Sequence, residues 1–123
     1  MSTLKGVVVG HGSLAAAMID AVQRIAGADT GLVAISNTDC DRGTLEEKII
    51  AAVAEGPALV FIDMPSGSCL FAAMRRLEGK DGVRVVTGVN LAMLLEFVFH
   101  RDGNVDEVAA HVVQVGTRAV AAR

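Results

Sequence analysis

The chain contains no tryptophan and no tyrosine, and only four phenylalanines. A core made from it has to rest on Val, Ile, Leu, Ala and Met, which suit buried strands and the helices that cover them. No run of basic residues offers a phosphate-backbone footprint and the formal net charge is -3, so the electrostatic signature of a nucleic-acid binder is missing. Apolar runs stop well short of the ~20 residues a membrane helix requires, which argues against direct membrane insertion. The start, Met1-Ser2-Thr3-Leu4-Lys5, enters a strand pattern at once and lacks a signal peptide's layout. The two cysteines, Cys40 and Cys69, form no metal-spaced cluster and read as reduced thiols of a cytoplasmic protein. Neither a Walker loop nor a GxGxxG fingerprint is present. Repeats, low-complexity tracts and linkers are also absent, and 123 residues suit one domain over 1–123.

Short apolar runs alternate with helix-periodic segments. Lys5 to Val9 reads as a first strand, followed by a helix with Leu14, Met18, Val22 and Ile25 on one face and ended by Gly27. Leu32 to Ile35 gives a second strand. After the polar loop Asn37 to Gly43, Thr44 with Glu47 predicts a capping box, and Leu45, Ile49 and Val53 a buried stripe. Gly56-Pro57 stops that helix. Ala58 to Ile62 reads as a strand covered on both faces. Gly67 and Ser68 open a helix carrying Leu70, Met74 and Leu77, and Val83 to Thr87 is a fourth strand. A helix over Leu91 to His100 precedes a last one capped by Asn104 and Glu107, with Val105, Val108, Val112 and Val115 aligned; Arg118 to Arg123 fits helix or strand. The alternation predicts an α/β fold in three layers, with a mainly parallel open sheet of about four strands and helices on both faces.

Ligands of open parallel sheets collect at the carboxyl ends of strands, which selects Gly10 to Ser13, Asp63 to Ser68, and Gly88 to Asn90. In the first loop, His11 stands between Gly10 and Gly12, just before a helix N-terminus that favours an attached anion. A structural turn histidine is the plainer reading. Asp63 ends an apolar strand, and Ser66, Gly67 and Ser68 offer hydroxyl and N–H donors to a phosphate, or a cap to the helix. If the first and third strands are neighbours, Asp63 can accept the Nδ1 proton of His11 and leave Nε2 bare for nucleophilic attack. Gly12, Ser66, Gly67 and Ser68 would then hold the transferred group. His100 and His111 read as surface or helix-end residues.

The stretches Val7-Val8-Val9-Gly10-His11-Gly12-Ser13-Leu14-Ala15, Phe61-Ile62-Asp63-Met64-Pro65-Ser66-Gly67-Ser68 and Thr87-Gly88-Val89-Asn90-Leu91-Ala92-Met93-Leu94 carry a resemblance over essentially the whole chain. It resembles the IIA domain of the mannose-family bacterial sugar phosphotransferase system. The resemblance implies a homodimeric α/β domain in which His11 takes phosphate from phospho-HPr and passes it to a separate IIB protein. It also implies that Asp63 orients the histidine and Ser68 contacts the phosphoryl group, with no cofactor and no metal. Two positions depart from the family's usual pattern: Ser66 replaces a glycine and Cys69 a proline.

Three other readings compete. A small tetrapyrrole metal chelatase also begins with a strand and Gly-His-Gly-Ser, but should offer a second histidine at another strand end, where this chain has Asn90. A stand-alone regulatory phosphoacceptor would use the same histidine chemistry without sugar transport. A flavin site lacks an aromatic residue in the key loops to stack on the ring.

Overall fold

The stretch Ala58-Leu59-Val60-Phe61-Ile62 is buried residue by residue, which is possible for a strand only when both of its faces are covered. The computed structural model describes residues 3–123. Met1 and Ser2 lie outside the described residues, and with them the first part of the signal-peptide reading. The elements run β1 Lys5–Gly10, α1 Leu14–Ala26, β2 Leu32–Ser36, α2 Arg42–Val53, β3 Ala58–Ile62, α3 Ser68–Leu77, β4 Val83–Thr87, α4 Leu91–Phe99 and α5 Val105–Ala119. All strand pairs are parallel, in the order β2-β1-β3-β4. The expected architecture is present, and the two central strands, β1 and β3, carry two of the three candidate loops, those of His11 and Asp63, while the third follows the edge strand β4.

Strand alternation divides the core in two. Val8, Leu59, Phe61 and Val86 point to the side covered by α1, α4 and α5, where Phe61 meets Phe97 edge-on at 5.5 Å. Val7, Val9, Val60 and Ile62 point to the side covered by α2 and α3. Among the described residues, no helix is long and apolar enough to cross a membrane.

Several local expectations need correction. In α1 the buried stripe is Ala15, Ile19 and Val22, while Leu14 and Ile25 are exposed. The helix is apolar over more than half its circumference, so the sheet selects the stripe with the small Ala15, which lets the backbone approach. The cap of α2 is Asp41, whose carboxylate accepts from Thr44 N–H at 2.8 Å, and the Thr44–Glu47 box is not formed. Glu47 pairs instead with Arg76 at 2.9 Å. In α3 the buried residues are Cys69, Ala72, Ala73 and Leu77, with Leu70 and Met74 at the margin. In α5, Gly116 rather than Val115 completes the buried face.

Candidate functional site

The register Val9↔Ile62 between β1 and β3 brings the residues just past both strands side by side. Asp63 N–H donates to the Val9 carbonyl at 3.2 Å, which fixes the start of its loop. One carboxylate oxygen of Asp63, Oδ2, then accepts the backbone N–H of His11 at 2.9 Å and lies 2.7 Å from the Nδ1 of its ring. The Asp63 side chain is 8% exposed and that of His11 42%. The carboxylate is therefore a sunken post, and the imidazole leans on it from the open rim. With the proton on Nδ1 donated to Asp63, Nε2 keeps its lone pair. The second oxygen, Asp63 Oδ1, is buried and has no hydrogen-bond partner among the described residues.

Backbone geometry explains the glycines. Gly12 has φ of 58° and Gly67 a φ of 98° with ψ of -174°, a combination at Gly67 that side chains rarely tolerate. Asn37 and Ser36, at the end of β2, hold the first loop from the other side: Gly12 N–H donates to Asn37 Oδ1 at 3.2 Å, and Ser36 Oγ–H donates to the Gly12 carbonyl at 2.7 Å. Asn37 was not singled out from the sequence, where it reads only as the start of a polar loop. Its place past an adjacent strand end is the signal that points to it.

The helix starts separate into two kinds. Asp41, Asn90 and Asn104 cap α2, α4 and α5 with side-chain acceptors. Helices α1 and α3, whose first turns flank His11, have Ser13 and Gly67 at their caps and no side-chain cap bond. Ser66 and Ser68 therefore do not cap α3, and the leading N–H groups of both helices remain unoccupied by side chains. Such starts hold anions through their N–H groups and the positive end of the helix dipole. No cue in a single stretch of sequence reveals this contrast.

The Gly88-Val89-Asn90 loop serves the frame. Val89 N–H donates to the Ile62 carbonyl at 3.1 Å, and Asn90 caps α4 while donating from Nδ2 to the Gly116 carbonyl at 3.2 Å. His100 and His111 do not join His11 either; both direct Nδ1 toward Glu96, at 2.7 and 3.3 Å.

Cys69, the second residue of α3, is buried with Sγ 3.8 Å from His11 Nδ1. Burial first, and the neighbouring Asp63 charge second, push its thiol above the ordinary range, so it stays protonated. His11, Asp63 and Cys69 place one potential ligand atom each within 4.8 Å of one another. Two shallow grooves meet at Gly67 and Phe71. One of about 510 Å³ includes Asn37, Arg42 and Ser68, and one of about 540 Å³ includes Pro65, Ser66 and Met74. His11 lines neither groove and stands on the rim beside them.

A family profile described as "PTS system fructose IIA component", EIIA-man, matches residues 5–113. Among similar solved structures is the mannose/sorbose specific IIA subunit of the phosphotransferase system from Enterococcus faecalis, at 31% identity and a TM-score of 0.86, with 99% of this chain and 96% of that chain covered. A phosphotransferase system component EIIA from Streptococcus agalactiae superposes with a TM-score of 0.89 at 21% identity, covering 96% of this chain and 95% of that one. A PTS IIA protein associated with the fucose utilization operon from Streptococcus pneumoniae gives 0.83 at 21% identity, over 99% and 96% of the two chains. No curated protein matches.

Proposed function

The chain belongs to the EIIA-man family of phosphotransferase-system IIA components, and on that premise we propose that it relays phosphate through Nε2 of His11. It is a phosphotransfer subunit; the proposal concerns the carrier atom, the residues that serve it and the proteins it meets. The observation that carries the reading is the pairing of His11 Nδ1 with the buried Asp63 carboxylate, on a rim flanked by two helix starts without side-chain caps.

The donor is HPr phosphorylated on histidine. The Nε2 lone pair of His11 attacks its phosphorus, a new N–P bond forms, and the donor's N–P bond breaks with its electron pair returning to the donor imidazole. Positive charge grows on the His11 ring during this step. Asp63 opposes that charge through Nδ1–H without itself taking the proton. The phosphoryl oxygens are held by the free N–H groups in the first turns of α1 and α3, together with Ser66, Gly67 and the Ser68 hydroxyl. Because Gly12 N–H donates to Asn37, its part is to shape the loop. The same steps in reverse hand the group to a separate IIB protein.

An exposed histidine beside shallow grooves suits exchange between two proteins better than capture of a small substrate, which favours a concave site. Leu14, Met64 and Phe71 are exposed apolar side chains on the elements around His11, and they form the docking rim for both partners. The working unit is the span 1–123 in the cytoplasm, paired as a homodimer. Pairing is supported by the open edge of β4 and by exposed Val113 and Val120, which share a groove with Thr87. The test is incubation with HPr, the general phosphotransferase enzyme and phosphoenolpyruvate, followed by mapping of the label. One acid-labile, alkali-stable label per chain on His11 is expected, and a label that persists in His11→Ala rejects the proposal.

A further inference from the structure

The inward edge of the His11 ring has a second possible use. Nδ1 faces not only Asp63 but also the Cys69 sulfur at 3.8 Å, and the ligand atoms of all three residues fall within 4.8 Å of one another. A tetrahedral ion with bonds of roughly 2.0 Å to nitrogen and 2.3 Å to sulfur spans those two atoms at about 3.6 Å, close to the distance already present. The carboxylate supplies an independent observation. Asp63 is more than nine-tenths buried, and its Oδ1 is withdrawn from solvent with no partner among the described residues. An acceptor left in this state is costly unless something positive or hydrogen-donating meets it.

We infer that His11 Nδ1, an Asp63 carboxylate oxygen and Cys69 Sγ form a site for a thiophilic divalent cation of the zinc class, and that an ion seated there blocks phosphoryl acceptance. The blocking half rests on the phosphohistidine reading; the binding half does not. A neutral imidazole, a carboxylate and a thiolate constitute a borderline-soft donor set that zinc accepts, with water as the fourth ligand. On binding, the Cys69 thiol gives its proton to solvent. The ring proton leaves Nδ1 and the ring is protonated at Nε2 instead. The two negative ligands balance the two charges of the ion, which offsets the burial and, second to it, the Asp63 charge that otherwise keep the thiol protonated. With hydrogen on Nε2 the ring has no lone pair facing the rim, so it cannot attack phosphorus.

Cobalt(II) serves as a spectroscopic probe. Added to the unphosphorylated full chain, it should give thiolate-to-cobalt charge-transfer absorption that saturates at one equivalent and is displaced by zinc. The band should vanish in Cys69→Ala and Cys69→Ser, checked for native circular dichroism, and persist in Cys40→Ala and in the His100→Ala, His111→Ala double variant. Zinc affinity by calorimetry should fall at least about tenfold in either Cys69 variant. Labelling by phospho-HPr should fall at least about tenfold with saturating zinc in the wild type and recover with a chelator, while in Cys69→Ala the ratio with and without zinc stays near one. Absence of the band from the wild type overturns the site, a result that does not depend on any variant folding. So does a band that follows Cys40, or zinc binding that disappears with His100 and His111. A cobalt band as expected with unchanged labelling in zinc overturns the blocking step alone. Failure of His11 to be labelled without any metal rejects the relay and leaves the cation site standing.

Discussion

His11 receives its position and its loop from a single carboxylate oxygen, because Asp63 Oδ2 meets both the ring Nδ1 and the backbone N–H of the same residue, and under the proposed relay that oxygen also sets the ring's tautomer. Removing that oxygen should cost more than an ordinary ring partner would. Asp63→Ala is expected to slow phosphoryl acceptance on the order of a hundredfold or more in stopped transfer assays with phospho-HPr. A wild-type rate would remove Asp63 from the mechanism. Ser68→Ala should slow transfer much less, since the backbone donors at the start of α3 remain; the same assay decides. Substitution of His100 or His111 by Ala should leave the label on His11 intact. The His11–Asp63 pair was legible in the sequence because each residue directly follows an apolar strand, and strand ends are readable from apolar runs. Asn37 and the proximity of Cys69 to Nδ1 were not, since both depend on how neighbouring loops settle against one another.

At the level of elements, Asn90 ties α4 to α5 by capping one helix and donating to the last turns of the other. Asn90→Ala should lower stability by about 1–2 kcal/mol in urea unfolding, with no change in the slope of the transition. Asp41 makes a pH argument. Its bond from Thr44 N–H holds its carboxyl below the ordinary range in the folded chain. A lowered folded value means that its contribution is present above the unfolded value, near pH ~3.9, and fades as pH falls through the folded one. Acid titration of Asp41→Asn by circular dichroism should therefore show a shallower loss of stability below about pH 4 than the wild type does. The displaced α2 cap shows where sequence reading reaches its limit. Asp41 with Thr44 and Thr44 with Glu47 are overlapping cap patterns three residues apart, and local chemistry allows both. Arg76 on α3 attracts Glu47 away, a contact that only the packed pair of helices reveals. The α1 stripe failed for a related reason, because two apolar faces competed and the sheet chose between them.

For the whole molecule, the layered sheet followed directly from alternation of apolar runs with helical segments, and the order of strands is what turned two separate loops into one site. The association state tests the proposed pairing. Sedimentation should give twice the chain mass at micromolar concentration, and Val113→Asp with Val120→Asp should move it toward the monomer. A wild-type monomer would refute the homodimer. Deep in the sheet, Phe97→Ala should cost about 3–5 kcal/mol by emptying the space against Phe61, measured by thermal or urea unfolding.

The bare starts of α1 and α3 carry a consequence for the life of the charged protein. Three helices own their terminators, while α1 and α3 have no side-chain cap, and under the proposed relay the phosphoryl group would supply one. Loaded chains should then exchange amide hydrogens more slowly in the first turns of α1 and α3 than empty chains do, and should melt at a higher temperature. The rigidity of the carrier would thus report how full the relay is.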